Sequence, residues 1–321
     1  MKTGPALAGL MAEPGQQHRA QHGLVAALGQ WEALPPVARV IDDFTRYAGG
    51  APLAEAGALA ALFGGEGEAA RNFVAPLLRG FSTALSEAPF GLVPLRHFTD
   101  GVISTLLLAR EGDAVLTLMA IDGAGLASRP AATSACFSAG EEWEIVLAGS
   151  GRGRLVERQG AKIIAHPIDL TPGHALGRAA EREAMLFDAA DGVMLILRLQ
   201  RREDVMRPKC EIALDDGRLL HQASATPRES RHEVAVALLG RMGRKDAAPL
   251  LAEIARDDQH TDSLRWQALR ECLGLDTRCG FWALCAIAGA PGDTLAVPAG
   301  ALRGQLLETY PQLAEVEPCP A

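Results

Sequence analysis

Aromatic side chains are scarce in this chain: they make up 5% of its 321 residues, and only two are tyrosine. That leaves little material for the stacking platforms that grip bases or sugars. Positive charge is short as well, with 31 Lys and Arg against 39 Asp and Glu and a net charge of −8. A general hold on nucleic-acid backbones needs a concentrated basic surface, so no nucleic-acid partner is expected. Nowhere do about 20 apolar residues run together, which excludes a helical membrane span on hydropathy. The six cysteines (Cys136, Cys210, Cys272, Cys279, Cys285 and Cys319) fall in no CxxC or zinc spacing. Dilute cysteines of this kind behave as small buried apolar residues, and a reduced, cytoplasmic home is expected. Met1–Gln17, broken by Pro5 and Pro14, lacks a signal-type apolar run and reads as a frayed leader.

What the chain does have is 48% hydrophobic residues, enough for two or three packed domains at this length. Up to about residue 100 the apolar residues recur at helical steps. His18–Trp31 places Leu24, Leu28 and Trp31 roughly on one face, and Val37–Tyr47, opened by Pro35 and Pro36, carries Val37, Val40, Ile41 and Phe44. A third helix is expected over Pro52–Phe63. A fourth, over Glu66–Leu85, presents Phe73, Leu77, Leu78, Phe81 and Leu85.

From Gly101 to Ser224 the period changes to short Val-, Ile- and Leu-rich runs punctuated by Gly, Asp and Pro. Val102–Ala109 and Ala114–Ile121 read as a hairpin turning at Gly112, and Cys210–Leu214 with Leu219–Ser224 as another around Gly217. Between them, strands are expected at Ala132–Phe137, Trp143–Ala148, Arg152–Glu157, Lys162–Ile168, Met185–Asp188 and Val193–Leu199. The glycine-rich run at 149–153 has no P-loop lysine and no following helix, so it reads as a tight strand–strand turn rather than a phosphate cradle. Eight to ten short strands at near-regular spacing point to an antiparallel barrel or sandwich.

From Glu229 helices return with an internal offset of 33 residues: Glu233–Ala255 lines up with Trp266–Ala288, and Ala235, Ala268 and Ala301 recur in register. Asp246 and Asp276 stand where helix caps belong. A period in the thirties with paired helices suggests an α-solenoid. Trp266 and Trp282 read as its core. The fold class expected is therefore an α+β multidomain chain. It comprises an N-terminal helical segment (residues 1–100), a central antiparallel β-barrel or jelly roll (101–227) and a C-terminal α-solenoid of helix hairpins (228–321).

Two resemblances sharpen this. The run from Arg231 to Leu251, an alanine-rich helix, a Gly turn, then Asp-Ala and a leucine-rich helix, resembles HEAT-like repeats. That resemblance implies protein–protein contact. The central block resembles a cupin barrel: Glu144 is followed after six residues by Gly151, as in the family's first motif, and Leu170–His174 (LTPGH) is similar to its second. The family's His-x-His pair precedes that Glu by three or four residues; here Phe137, Ser138, Ala139 and Gly140 hold those places. What the resemblance implies, if ligands survive, is a divalent transition metal held by Glu144, His166 and His174, with open positions able to activate oxygen or water.

Alternation argues the other way. Trp143, Ile145 and Leu147 share one strand face, which turns Glu144 toward solvent or another layer, and an ordinary surface carboxylate with two loop histidines is the preferred reading. His18 and His22 form an i, i+4 pair without the Glu of a zinc-protease motif, and no serine sits in a nucleophile elbow. Arg198, Arg201, Arg202, Arg207 and Lys209 make the densest basic stretch, either a solvated strand end or a docking patch for an acidic partner. The function expected is a non-catalytic binding, regulatory or assembly protein with a protein partner or self-association. The rival is a metal-dependent cupin-type oxygenase or isomerase of a small molecule. A third possibility is a small-molecule sensor.

Overall fold

The computed structural model describes residues 15–89, 91–160, 162–202, 207–224 and 226–316. The leader expected at Met1–Gln17 lies outside the described residues up to position 14, and its last two residues already belong to a helix. The chain divides into two compact units, one of Met1–Asp204 with Glu211–Leu219, the other of Val205–Cys210 with Leu220–Ala321. The N-terminal helices and the central strands thus form one unit, with an apolar core that side chains of both build.

The first unit opens with α1 (Gln16–Glu32), α2 (Pro35–Ala48), α3 (Gly57–Leu62) and α4 (Glu68–Glu87). Leu24, Trp31, Val37, Val40, Phe44, Phe73, Leu77 and Phe81, the stripes read from periodicity, are all buried. Each such side chain contributes roughly 1.5–3 kcal/mol when taken from water. The single helix expected over Pro52–Phe63 is instead a short 3₁₀ turn, Leu53–Glu55, and then α3. The break is fixed by Asp43 of α2, whose carboxylate accepts from the backbone N–H of Ala58 at 2.5 Å and of Leu59 at 3.3 Å. A side chain from a neighbouring helix therefore supplies the cap that the local sequence lacks.

The strands are β1 (His97–Thr99), β2 (Ile103–Glu111), β3 (Ala114–Asp122), β4 (Ser134–Phe137), β5 (Glu141–Gln159), β6 (Lys162–Leu170), β7 (Ala175–Ala179), β8 (Glu183–Arg201), β9 (Lys209–Ala213) and β10 (Leu219–Ala223), with a short helix α5 (Gly123–Ala127) after β3. The main sheet runs β1-β2-β3-β8-β5-β6, with β7 also paired to β5. All these pairs are antiparallel. Of the barrel or sandwich expected from strand count, the antiparallel sheets are present, β10-β9-β4 forming a second one, and no pairing closes the main sheet into a barrel among the described residues.

Two further expectations are corrected here. The strands Trp143–Ala148 and Arg152–Glu157 are one continuous strand, β5, and Met185–Asp188 and Val193–Leu199 are one strand, β8. The glycine-rich run at 149–153 is therefore a bulged midpoint, not a turn: register shifts between Val146 and Ala148 and again between Ala148 and Ser150. Gly149 has φ +76°, and a Cβ there would lie 2.4 Å from the Val193 carbonyl oxygen. Glycine lets the two long strands approach closely while they bend.

The sheet has two covered faces. Leu116, Leu118, Ile145, Leu147, Leu197 and Leu199 point toward the helices and complete the first core. On the other face Met119, Ile121, Val146, Leu170, Met194 and Ile196 form a second apolar cluster.

The second unit is helical: α6 (Pro227–Arg241), α7 (Ala248–Arg256), α8 (Asp262–Leu275), α9 (Thr277–Ala288) and α10 (Ala296–Thr309). Val236, Leu251, Leu269, Cys272, Phe281 and Leu284 belong to its core, with Trp266 and Trp282 packed against it. Asp276 caps α9 by accepting from the Cys279 N–H at 3.0 Å. Asp246 does not cap; it pairs with Arg244 in a 3₁₀ turn before α7. Arg265 is 2% exposed, yet its charge is met by Asp293 and its Nε donates to the Ala255 carbonyl at 3.1 Å.

Candidate functional site

Strand pairing places a polar patch on the sheet face opposite the helices. In the register, Val146 faces Ile196, Glu144 faces Arg198 and Glu142 faces Gln200, while on the other side of β5 Glu144 faces Leu176 and Glu142 faces Arg178. Side chains two residues apart on a strand share a face, so apolar residues at one end give way to charge at the other. Arg178 is 6% exposed and Glu144 5%. The surface position expected for Glu144 is therefore overturned. Alternation did turn it away from Trp143, Ile145 and Leu147, but toward a second packed layer.

The Glu144 carboxylate is fully engaged. Arg178 donates through Nη1 to Oε2 at 2.8 Å and through Nη2 to Oε1 at 3.3 Å, and Arg198 donates through Nε to Oε1 at 2.5 Å. Arg178 also pairs with Glu142, which accepts from the Gln200 amide at 2.6 Å. Burial alone pushes the Glu144 carboxyl up; the charges of Arg198 and Arg178 and their hydrogen bonds outweigh it and bring the pKa down to about 2. The same partners outweigh the burial that would lower Arg178, which is held above the usual guanidinium value.

The three residues named for a metal do not meet. His166 lies on β6 opposite Leu155, eleven positions along β5 from Glu144, which is roughly 35 Å in an extended strand. It is exposed and sits 3.7 Å from Glu157. His174 ends the turn before β7; its backbone carbonyl accepts from the Val146 N–H at 3.0 Å, and its side chain lines a cleft with Leu147 and Ala148. Both Glu144 oxygens are already occupied by guanidinium donors. No group of three or more His, Cys, Asp or Glu suited to a metal occurs among the described residues. The donor set does not fit a cupin-type metal.

The arginines read as a solvated strand end or a docking patch are divided by strand alternation. Arg198 joins the buried pair just described. Arg201 points to the helical side, donating to the carbonyls of Tyr47 at 2.6 Å and Ala51 at 2.7 Å and to Glu141 at 2.6 Å, with its guanidinium 4.1 Å from the Tyr47 ring centroid. Arg202 pairs with Asp113 at 2.8 Å near the strand end. Arg178 and Glu142 were not read from the sequence as site residues. The signal was present in Ala175–Ala179, where small residues alternate with Leu176 and Arg178, but nothing local marks so short a run as a strand.

No protein-family model matches the chain, and no curated protein matches it. Solved structures similar to its central region include cupin-superfamily proteins. CapF with the inhibitor 3-isopropenyl-tropolone is also similar, at 14% identity over 40% of this chain and 37% of that one, with a TM-score of 0.27. A cupin superfamily protein from Desulfitobacterium hafniense has 14% identity over 33% of this chain and 83% of that one, TM-score 0.24. The cupin domain of Drosophila melanogaster CENP-C has 11% identity over 34% and 76%, TM-score 0.27. The chain thus spans little more than a third of the length of CapF. Among the described residues, no helix is long and apolar enough to cross a membrane.

Proposed function

We propose that this chain is a non-catalytic binding or assembly protein of the cytoplasm, built from a cupin-like sheet and a HEAT-like helical contact module. The observation that carries this reading is the Glu144 carboxylate held between Arg178 and Arg198. At the position where the cupin resemblance would put a metal-binding carboxylate, two guanidinium groups already neutralise the charge. A cation arriving there would have to displace both guanidinium groups and leave Arg178, whose side chain is 3% exposed, with Glu142 as its remaining carboxylate.

Contact with a protein is supported by α6. Val234, Leu238 and Met242, four residues apart in turn, are 66%, 55% and 58% exposed, and Leu250 of α7 adds a fourth exposed apolar side chain. Such a stripe at helical spacing suits an amphipathic helix laid along it. Arg241 and Lys245 are exposed beside its end. With these cations flanking the apolar stripe, the partner proposed is a different protein presenting an apolar helix with acidic flanks.

The test is metal retention. Purified protein incubated with iron(II), manganese(II) or zinc and then desalted is expected to hold no stoichiometric metal. Near-stoichiometric retention that disappears in Glu144→Gln would overturn the reading.

A further inference from the structure

The apolar stripe of α6 ends on a methionine, and a thioether is an apolar group that mild peroxide turns polar. Met242 is 58% exposed. Of the other described methionines, Met119 and Met194 are buried, and Met185 is half-buried against the second apolar cluster of the sheet. Susceptibility to oxidation follows exposure, so an oxidant in solution meets the Met242 sulfur before these three.

Met242 also has a fixed place. It caps the C-terminus of α6 in helical conformation, and its N–H donates to the Leu238 carbonyl at 2.9 Å. Its side chain therefore continues the four-residue steps of Val234 and Leu238 on one face of the helix. A sulfoxide at that end is a polar group and a much better acceptor than the thioether sulfur. Covering it with an apolar partner leaves it without the water it would bind, which costs free energy that covering methionine does not.

We infer that docking on α6 is redox-sensitive: oxidation of Met242 to its sulfoxide releases the helical partner. This rests on the reading of the α6 stripe as a dock for a helix. The oxidant class is a peroxide. The sulfur lone pair attacks one oxygen of hydrogen peroxide, an S–O bond forms as the O–O bond breaks, and the second oxygen leaves as water with both protons. The sulfur is oxidised by two electrons and the peroxide is reduced by two.

The probe is a fluorescent synthetic helix with leucines at four-residue steps and glutamates at both ends. It is titrated into the full chain by anisotropy, before and after hydrogen peroxide, with the oxidised positions read by peptide mass spectrometry. Met242 is expected to oxidise ahead of Met119, Met185 and Met194, and affinity to fall by about tenfold or more, the loss of one buried apolar side chain. Methionine sulfoxide reductase should restore it. In Met242→Leu the ratio of treated to untreated affinity should stay near one, whatever the untreated value. Leu238→Asp, at an exposed position the fold does not depend on, should abolish binding by the untreated chain. No binding of the probe, or binding that survives Leu238→Asp, would remove the dock and its redox control together. Binding that is lost in Leu238→Asp yet unchanged once Met242 is oxidised, or that falls equally in Met242→Leu, would overturn the redox control alone, as would oxidation of Met242 after the three less exposed methionines.

Discussion

Replacing Glu144 by Gln removes one charge while keeping the side-chain shape, and the structure sets what that should cost. Glu144 is 5% exposed and answers two guanidinium groups, one of them on Arg178 with a side chain 3% exposed. Its pKa falls from the ordinary 4.5 to about 2 in the folded protein. At about 1.36 kcal/mol for each tenfold, that gap corresponds to roughly 3 kcal/mol at neutral pH. Breaking a buried pair by removing one partner gives an independent figure of about 3–5 kcal/mol. Glu142 still serves Arg178 in the variant, so the lower end is expected. For a unit of this size it amounts to roughly 6–12 °C in Tm.

The pH dependence follows from the same numbers. Between the unfolded value of 4.5 and the folded value of about 2 the unfolded chain holds more protons, so stability from this group rises with pH across that window. The advantage of the parent over Glu144→Gln should be full above pH 4.5 and fade as pH falls toward 2. Urea unfolding of both proteins across that range measures it. Combining Glu144→Gln with Arg198→Met should cost less than the sum of the two alone, since both remove one contact. A difference below about 0.5 kcal/mol at neutral pH, or one that persists undiminished into acid, would refute the reasoning.

Gly177→Ala should destabilise by about 1–3 kcal/mol in denaturant unfolding, because its Cβ would lie 2.4 Å from the Trp143 ring that covers it; an unchanged midpoint would mean that the indole packs elsewhere. Asp43→Ala removes the carboxylate that accepts from Ala58 and Leu59, and a loss of about 1–2 kcal/mol is expected, with faster hydrogen exchange at those two amides. Asp293→Asn leaves the 2%-exposed Arg265 short of its counter-charge; thermal unfolding should show a loss of about 3 kcal/mol, and the double change Asp293→Asn with Arg265→Met should recover part of it.

The helical stripes were legible because each is a local pattern. Val37, Val40 and Phe44 in α2, and Phe73, Leu77 and Phe81 in α4, recur at steps that only a helix aligns, and all six are buried. The two outer hairpins were legible for a similar reason: Gly112 and Gly217 adopt φ of +53° and +71° at the turns where the sequence places them. The glycines at 149–153 carry the same local signature and mean something different. Whether a glycine turns the chain or lets two strands touch depends on what lies across from it, and Val193 is more than forty residues away.

By itself, then, the sequence determined where periodicity changes from helix to strand and back, since that depends only on neighbours a few positions apart. The tertiary structure decided which strands are continuous, that both faces of the sheet are covered, and which charges meet. Alternation could turn Glu144 away from Ile145, but not say what waited on the far side. Its partners come from positions 178 and 198, brought alongside by backbone pairing on either edge of β5. Electrostatics acts through space, and the register of a sheet is a long-range fact.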